Sequence, residues 1–256
     1  MTSAAYKPET VFITGATGGF GTAFSRRFAA LGCRLVLCGR RKERLAALAK
    51  ELGVPCHLLT FDVRDAEAMK AAIASLPPEF SKIDLLINNA GLALGQEPAH
   101  QASLNDWVEM IDANCKGLVT LTHLLLPGMA ERQRGHIINI GSTAGNYPYP
   151  GGHVYCASKA FVKQFSLSLR ADMNKHKVRV TNIEPGMVET DFSLVRFKGD
   201  ADKAGNVYAK ADPLKPEDVA EAVFWTATLP PHCNINRIEL MPTTQAPGPL
   251  QVHRSA

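Results

Sequence analysis

The chain has 256 residues, a formal charge of +4, 46% hydrophobic and 20% charged residues, which fits one large α/β domain with a sizeable core and excludes a disordered tail, a collagen and a coiled coil. So small a charge, with no basic run beyond Arg40-Arg41-Lys42, gives no basis for a nucleic-acid partner. Six cysteines without a C-x-x-C pair read as reduced thiols, and eight histidines outside any ligand spacing predict no metal site.

Residues 1–10 have neither the basic start nor the apolar run of a secretory leader. The longest apolar stretch, 117–130, contains His123 and Pro127 and falls short of the ~20 residues that span a bilayer. The expectation is a cytoplasmic protein with no membrane partner.

In chain order, short aliphatic runs at 11–14, 35–38, 57–60, 85–88, 137–140, 178–183 and 238–240 predict strands. Segments of helical period at 20–30, 42–52, 66–76, 104–129, 157–174 and 217–228 predict the helices between them. Most of the strand runs are nearly continuous in apolar residues, as expected when helices cover both faces of a parallel sheet. The alternation predicts a doubly wound sheet in a single domain over 1–256, with no repeat and no dividing linker. Pro/Gly punctuation at 147–152 reads as a loop beside a site, and 242–256 reads as a surface tail.

The turn after the first strand, Thr14-Gly15-Ala16-Thr17-Gly18-Gly19-Phe20-Gly21, opens directly into a helix. Glycines there let the backbone approach a pyrophosphate, and a helix N-terminus supplies unpaired N–H groups and partial positive charge. Read alone, such a turn also closes strand-to-helix connections that hold no ligand. Where a dinucleotide site commonly sets an acidic residue against the ribose 2′-OH, this chain has Gly39-Arg40-Arg41. Guanidinium groups pair with a 2′-phosphate that a carboxylate would repel, so NADP is expected rather than NAD. Asp62, with Val63 after the third strand, is open to two readings, an acceptor for the adenine amino group or a plain helix cap. Asn88-Asn89-Ala90-Gly91 closes the fourth strand with small residues that permit backbone contact with a cofactor.

Tyr155-Cys156-Ala157-Ser158-Lys159 sets a phenol and an ammonium on one helix face. A Lys⁺ about 4 Å away at effective dielectric ~20 would lower a tyrosine's pKa by up to roughly three units, enough to make Tyr155 a proton acceptor near neutrality. Ser142, at the carboxyl end of the fifth strand, lies on the edge where such sheets bind ligands. Asn114, in an otherwise apolar helix, needs a hydrogen-bond partner if buried.

These residues resemble the short-chain dehydrogenase/reductase family over nearly the whole chain, through Thr14-Gly15-x3-Gly19-x-Gly21, Asn88-Asn89-Ala90-Gly91, Asn114, Ser142, Tyr155-x3-Lys159 and Pro185-Gly186 with Thr190. The resemblance implies a single-domain, seven-stranded Rossmann-like fold and a catalytic set of Asn114, Ser142, Tyr155 and Lys159. In it Tyr155 exchanges the proton, Lys159 also holds the nicotinamide ribose, Asn114 supports a water leading to Lys159, and Val188 and Thr190 contact the carboxamide. It implies a homotetramer as well, in keeping with more apolar positions on 104–129 and 157–174 than one sheet face should cover. One departure is Thr17-Gly18, where relatives that use NADP often carry a basic residue, so the 2′-phosphate must rest on Arg40 and Arg41.

A narrower likeness lies in Asn182-Ile183-Glu184-Pro185-Gly186, in Phe192-Ser193-x-x-Arg196-Phe197-x-Gly199-Asp200 and in Asn234-Ile235-Asn236-Arg237-Ile238-Glu239-x-Met241-Pro242. It is similar to the NADP-dependent 3-hydroxy acid dehydrogenases that oxidise serine and allo-threonine and reduce malonic semialdehyde. An acid substrate needs a cation. Within a predicted irregular lid at 187–210, Arg196 between Val195 and Phe197 is the candidate, with Lys198 its competitor; the alternative is a surface arginine tethering the lid to an acidic neighbour. Two other functions are open, a ketone or 3-oxoacyl reductase on the same fold, and an NADP(H)-sensing protein without turnover.

Overall fold

The computed structural model describes residues 6–248 and Val252; the first five residues and most of the far end of the predicted tail lie outside the described residues. Seven parallel strands form one sheet in the order β3-β2-β1-β4-β5-β6-β7. They are β1 (Thr10–Thr14), β2 (Arg34–Gly39), β3 (Cys56–Thr60), β4 (Leu85–Asn88), β5 (Gly135–Ile140), β6 (Val178–Pro185) and β7 (Arg237–Leu240). Every residue of β1, β4, β5 and β6 is buried, as expected of strands covered on both faces; β6 also buries Arg179, Thr181, Asn182 and Glu184. Alternation divides the core. Val11 and Ile13 of β1 pack in one layer with Phe24, Phe28 and Val223, while Phe12 packs in the other with Met69, Leu121 and Met173.

The first layer is covered by α1 (Gly19–Ala30) and α2 (Lys42–Leu52). Gly53, left-handed at φ 65, ends α2, a conformation glycine adopts without a Cβ penalty. The other face carries α3 (Ala66–Ala74), the short α4 (Pro78–Ser81), α5 (Leu104–Ile111), α6 (Leu118–Glu131) and α7 (His153–Met173). Two helices follow β6, α8 (Phe192–Arg196) and α9 (Ala201–Tyr208), and α10 (Pro216–Thr228) returns to the first layer beside α1.

Two predicted segments differ. The helix expected over 104–129 is interrupted by a π-helical stretch at Asp112–Gly117. Gly117 there meets the loop after β3 so closely that a Cβ would stand 2.6 Å from the Val63 carbonyl oxygen, and such bulges are frequent at functional sites. The lid expected to be irregular contains α8 and α9; the Asp200 carboxylate caps α9 by accepting from the Lys203 N–H at 3.0 Å.

Strand order reverses direction between β1 and β4, and the carboxyl ends of these strands open the crevice in which doubly wound sheets bind ligands. The loops after β1, β4, β5 and β6 all reach that edge. Among the described residues, no helix is long and apolar enough to cross a membrane.

Candidate active site

The glycine turn is built for close approach. Gly15 is left-handed at φ 62, and a Cβ on Gly21 would stand 2.1 Å from the Gly15 carbonyl oxygen, so neither position accepts a side chain. No side chain caps the N-terminus of α1, which leaves backbone donors facing the crevice. Asn89 braces the turn, its amide donating to the Thr14 and Gly15 carbonyls at 2.8 and 3.2 Å. The Thr14 hydroxyl accepts from the N–H groups of Asn89 and Ala90, each at 2.9 Å. The Phe20 side chain turns away into the core against Phe24, so its contact with a cofactor would be through its backbone.

Arg41 donates to the Thr17 carbonyl and hydroxyl at 3.0 and 3.1 Å, while Arg40 is largely exposed and reaches Asp62 at 3.7 Å. Two guanidinium groups thus stand beside the glycine turn, and the donor set fits NADP. Asp62 is not the cap of α3. That role belongs to Asp65, which accepts from Ala68 N–H at 2.9 Å. Asp62 instead holds Arg64 through two hydrogen bonds of 3.0 and 2.7 Å, and these hold its carboxyl below the usual range.

Ser142 follows β5; its hydroxyl accepts from Ala144 N–H at 3.1 Å and lies 3.4 Å from the Pro185 carbonyl. Tyr155, in the first turn of α7, hydrogen-bonds with Ser142. Asn114, buried in the π-helical stretch, accepts from Leu92 N–H at 2.8 Å. Its amide donates to the Leu92 carbonyl at 2.8 Å and to Ser158 Oγ at 3.0 Å. Gly91 faces this amide, and a Cβ there would stand 2.9 Å from Asn114 Oδ1.

Lys159 is buried beside Tyr155. Its Nζ donates to the Ile140 carbonyl at 2.8 Å and lies 5.8 Å from the Tyr155 ring centre. Burial pushes the Lys159 pKa down to about 8. The Tyr155 pKa is raised by burial, opposed by the charge of Arg196 and by the Ser142 hydrogen bond. Two cations thus flank the phenol, Arg196 with its Cζ 5.2 Å and Lys159 with its Nζ 5.8 Å from the ring centre.

Thr190 stands over Gly19 and accepts from Phe192 N–H at 3.2 Å. The Val188 side chain is in the core, and its backbone bridges to Leu214. Gly186 N–H donates to the Leu240 carbonyl at 2.8 Å. Arg196, ending α8, donates to the Tyr149 hydroxyl at 2.7 Å. Its Cζ lies 5.7, 5.2 and 5.4 Å from the ring centres of Tyr149, Tyr155 and Phe192. It pairs with no carboxylate among the described residues. The tether to an acidic neighbour is made by Lys198, which meets Asp106 at 2.8 Å.

Three residues of the site were missed in the sequence. Tyr149 sits in the 147–152 loop, whose glycines and prolines mask its role. Gln245 reaches from the tail to accept from Met187 N–H at 2.7 Å. Glu184, fully buried, binds Asn146, Asn182 and Arg237; a carboxylate beside Pro185-Gly186 at the end of a predicted strand was the available signal.

A glycine turn at the switch point of a parallel sheet, facing a serine, a tyrosine and a lysine on the adjoining edge, defines the class of dinucleotide-dependent oxidoreductases. The short chain dehydrogenase family model matches residues 9–200, and this chain belongs to that family. It is 58% identical over 246 residues, 96% of this chain and 99% of the relative, to an NADP-dependent 3-hydroxy acid dehydrogenase of Salmonella typhi. It is 52% identical, over 96% of this chain and 99% of the relative, to sulfoacetaldehyde reductase 2 of Chromohalobacter salexigens. Among solved structures, the closed form of a serine dehydrogenase complexed with NADP+ superposes with a TM-score of 0.92 at 57% identity, covering 96% of this chain and all of that one.

Proposed function

We propose that this chain is an NADP-dependent oxidoreductase that moves a hydride between the cofactor and C3 of a small 3-hydroxy acid such as serine, allo-threonine or 3-hydroxypropionate. The observation that carries this reading is Arg196, an unpaired guanidinium aimed by Tyr149 and placed 5.2 Å from the Tyr155 ring. A partly buried cation without a counter-ion calls for an anion, and a bound carboxylate would set the neighbouring carbon over the phenol. A relative named for an aldehyde with a sulfonate group fits the same requirement.

Gly15, Gly19, Gly21, Asn89, Ala90 and Gly91 would line the cofactor, with Arg40 and Arg41 on the 2′-phosphate and Pro185, Gly186, Val188 and Thr190 at its other end. NADP, when bound, supplies the hydride acceptor. Ser142 holds the substrate oxygen, Tyr155 accepts its proton, and Lys159, fixed on the Ile140 carbonyl, lies within the same helix face. Serine would give 2-aminomalonate semialdehyde, a product prone to lose CO₂.

A reductase of ketones or 3-oxoacyl chains is disfavoured by the charge of Arg196 in the lid. The exposed Leu104, Val108, Ile111 and Phe161 on α5 and α7 support a homotetramer, and a cytoplasmic location is part of the same reading. The test is initial rates with NADP⁺ on serine, allo-threonine and 3-hydroxypropionate beside an uncharged alcohol, with Arg196→Ala in parallel. The acids should be preferred. Arg196→Ala should raise their KM by ~10–100-fold while KM for NADP⁺ stays nearly constant; a preference for the uncharged alcohol would overturn the reading.

A further inference from the structure

We infer that Arg196 acts on Tyr155 through space as well as on the substrate, so that an anion seated on Arg196 removes charge support from the phenol and leaves Tyr155 a better proton donor than acceptor. Bound acids would therefore favour reduction of the carbonyl at neutral pH and need alkaline solution for fast oxidation. The second half of this inference rests on the reading of Arg196 as the anion anchor.

Of the two cations beside Tyr155, Lys159 is fixed on a backbone carbonyl inside the fold, and Arg196, on the lid, is the one a substrate anion can reach. From α7, Lys159 has its Nζ on the Ile140 carbonyl, and Cys156 adjoins the tyrosine. From the loops before α7 come the Ser142 hydroxyl and the Tyr149 phenol. From α8 come Phe192, with ring centres 5.6 Å apart, and the Arg196 guanidinium. The nearby acids are engaged elsewhere. Asp106 holds Lys198 with Glu97 adding to its field, and Asp191 acts on Arg41.

Tyr155 and the substrate would thus share the Arg196 guanidinium, and a substrate carboxylate would compete with the nascent phenolate for it. In oxidation the C3–H hydride leaves for the cofactor while the hydroxyl proton passes to the Tyr155 oxygen; in reduction both moves reverse. With its Cζ 5.2 Å from the ring centre, the guanidinium at effective dielectric ~20 changes the proton affinity of a phenolate by a factor of about ten or more. Neutralising that guanidinium with an anion gives much of this back.

The pH dependence of 3-hydroxypropionate oxidation separates the two states, because kcat/KM reports Tyr155 before the acid binds and kcat reports it afterwards. Wild type should show the acidic limb of kcat about one pH unit above that of kcat/KM. In Arg196→Gln both limbs should lie at the higher position and coincide, and Arg196→Lys, which keeps the charge, should restore the offset. If Arg196→Gln raises KM but leaves both limbs where wild type has them, the inference falls and the anion-anchor reading stands. If the limbs move while KM is unchanged, the through-space action stands and the anchor reading falls. Should wild type oxidise no acid, the substrate reading falls by itself. Tyrosinate absorbance, as wild type minus Tyr155→Phe, then carries the test, and an unchanged midpoint in Arg196→Gln overturns the inference.

Discussion

Asn146 Nδ2 lies 2.7 Å from Glu184 Oε2, which fastens the loop carrying Ser142 to the strand that ends at Pro185. The same nitrogen lies 2.7 Å from Glu239 Oε2, while Lys163 donates to Asn146 Oδ1 at 2.7 Å. Glu184 is only 1% exposed and is balanced by Arg237, whose Nε and Nη2 donate at 3.0 and 2.6 Å. Three elements of the crevice wall are therefore joined through one buried carboxylate.

Removing the cation should cost more than removing the acid's charge. Arg237→Ala leaves a buried carboxylate without its counter-ion, a loss of about 3–5 kcal/mol, whereas Glu184→Gln keeps the shape and one acceptor oxygen, at the smaller cost of an amide NH2 that faces the donor of Asn182 or of Asn146 and a half-exposed guanidinium that must re-solvate. Urea midpoints should place Arg237→Ala well below Glu184→Gln, and Glu184→Gln should partly rescue Arg237→Ala in the double variant. Additive losses would show that the pair is not coupled.

Tyr155→Phe deletes the proposed proton acceptor without touching the glycine turn. Turnover should fall about 10²–10⁴-fold, while NADPH binding, followed by its fluorescence, stays within about twofold. Retention of more than about a tenth of wild-type kcat would remove Tyr155 from that role.

The two arginines after β2 should separate on mutation. Arg40 is exposed and lightly held by Asp62, so Arg40→Asp should act on cofactor choice, lowering the NADP/NAD ratio of kcat/KM by at least about tenfold, the worth of one charge-assisted contact. Arg41 also braces Thr17, so Arg41→Ser should raise KM for both cofactors. An unchanged ratio in the double variant would sink the 2′-phosphate assignment.

The central strands were legible because they bury both faces and carry aliphatic runs, and the Ser142, Tyr155 and Lys159 cluster was legible because strand ends and a helix repeat fix its positions. What the sequence could not express was side-chain direction. Lys159 shares a helix face with Tyr155 and lies beside its ring, yet its amine is spent on the Ile140 carbonyl, and Arg196, distant in the chain, joins it as a second cation beside the phenol. Asp62 stood where either a ligand contact or a helix cap was possible, and the local pull of Arg64 decided against the cap. The π-helical stretch at Asp112–Gly117 leaves the apolar pattern of the helix nearly intact, so only the contact of Gly117 with Val63 reveals it.

Lys159 sets function against stability. Burial lowers its pKa to about 8 from 10.5, so between these values the unfolded chain binds more protons than the folded one, and stability rises with pH across that window. Below about pH 8 the folded, cofactor-free protein bears the full cost of the buried ammonium. Lys159→Met removes the charge and keeps most of the volume, at the loss of the hydrogen bond to the Ile140 carbonyl. At pH 7 it should be more stable than wild type by on the order of 1–3 kcal/mol, the bulk of the lost titration less one hydrogen bond. By pH 10 the gain should have mostly disappeared, because wild-type Lys159 is by then neutral in the folded state. Urea unfolding of both proteins at pH 7 and pH 10 measures this, and turnover should be lost in the variant throughout. A methionine variant less stable than wild type at pH 7, or a gain that does not shrink by pH 10, would mean that Lys159 is held as a well-solvated or well-paired cation.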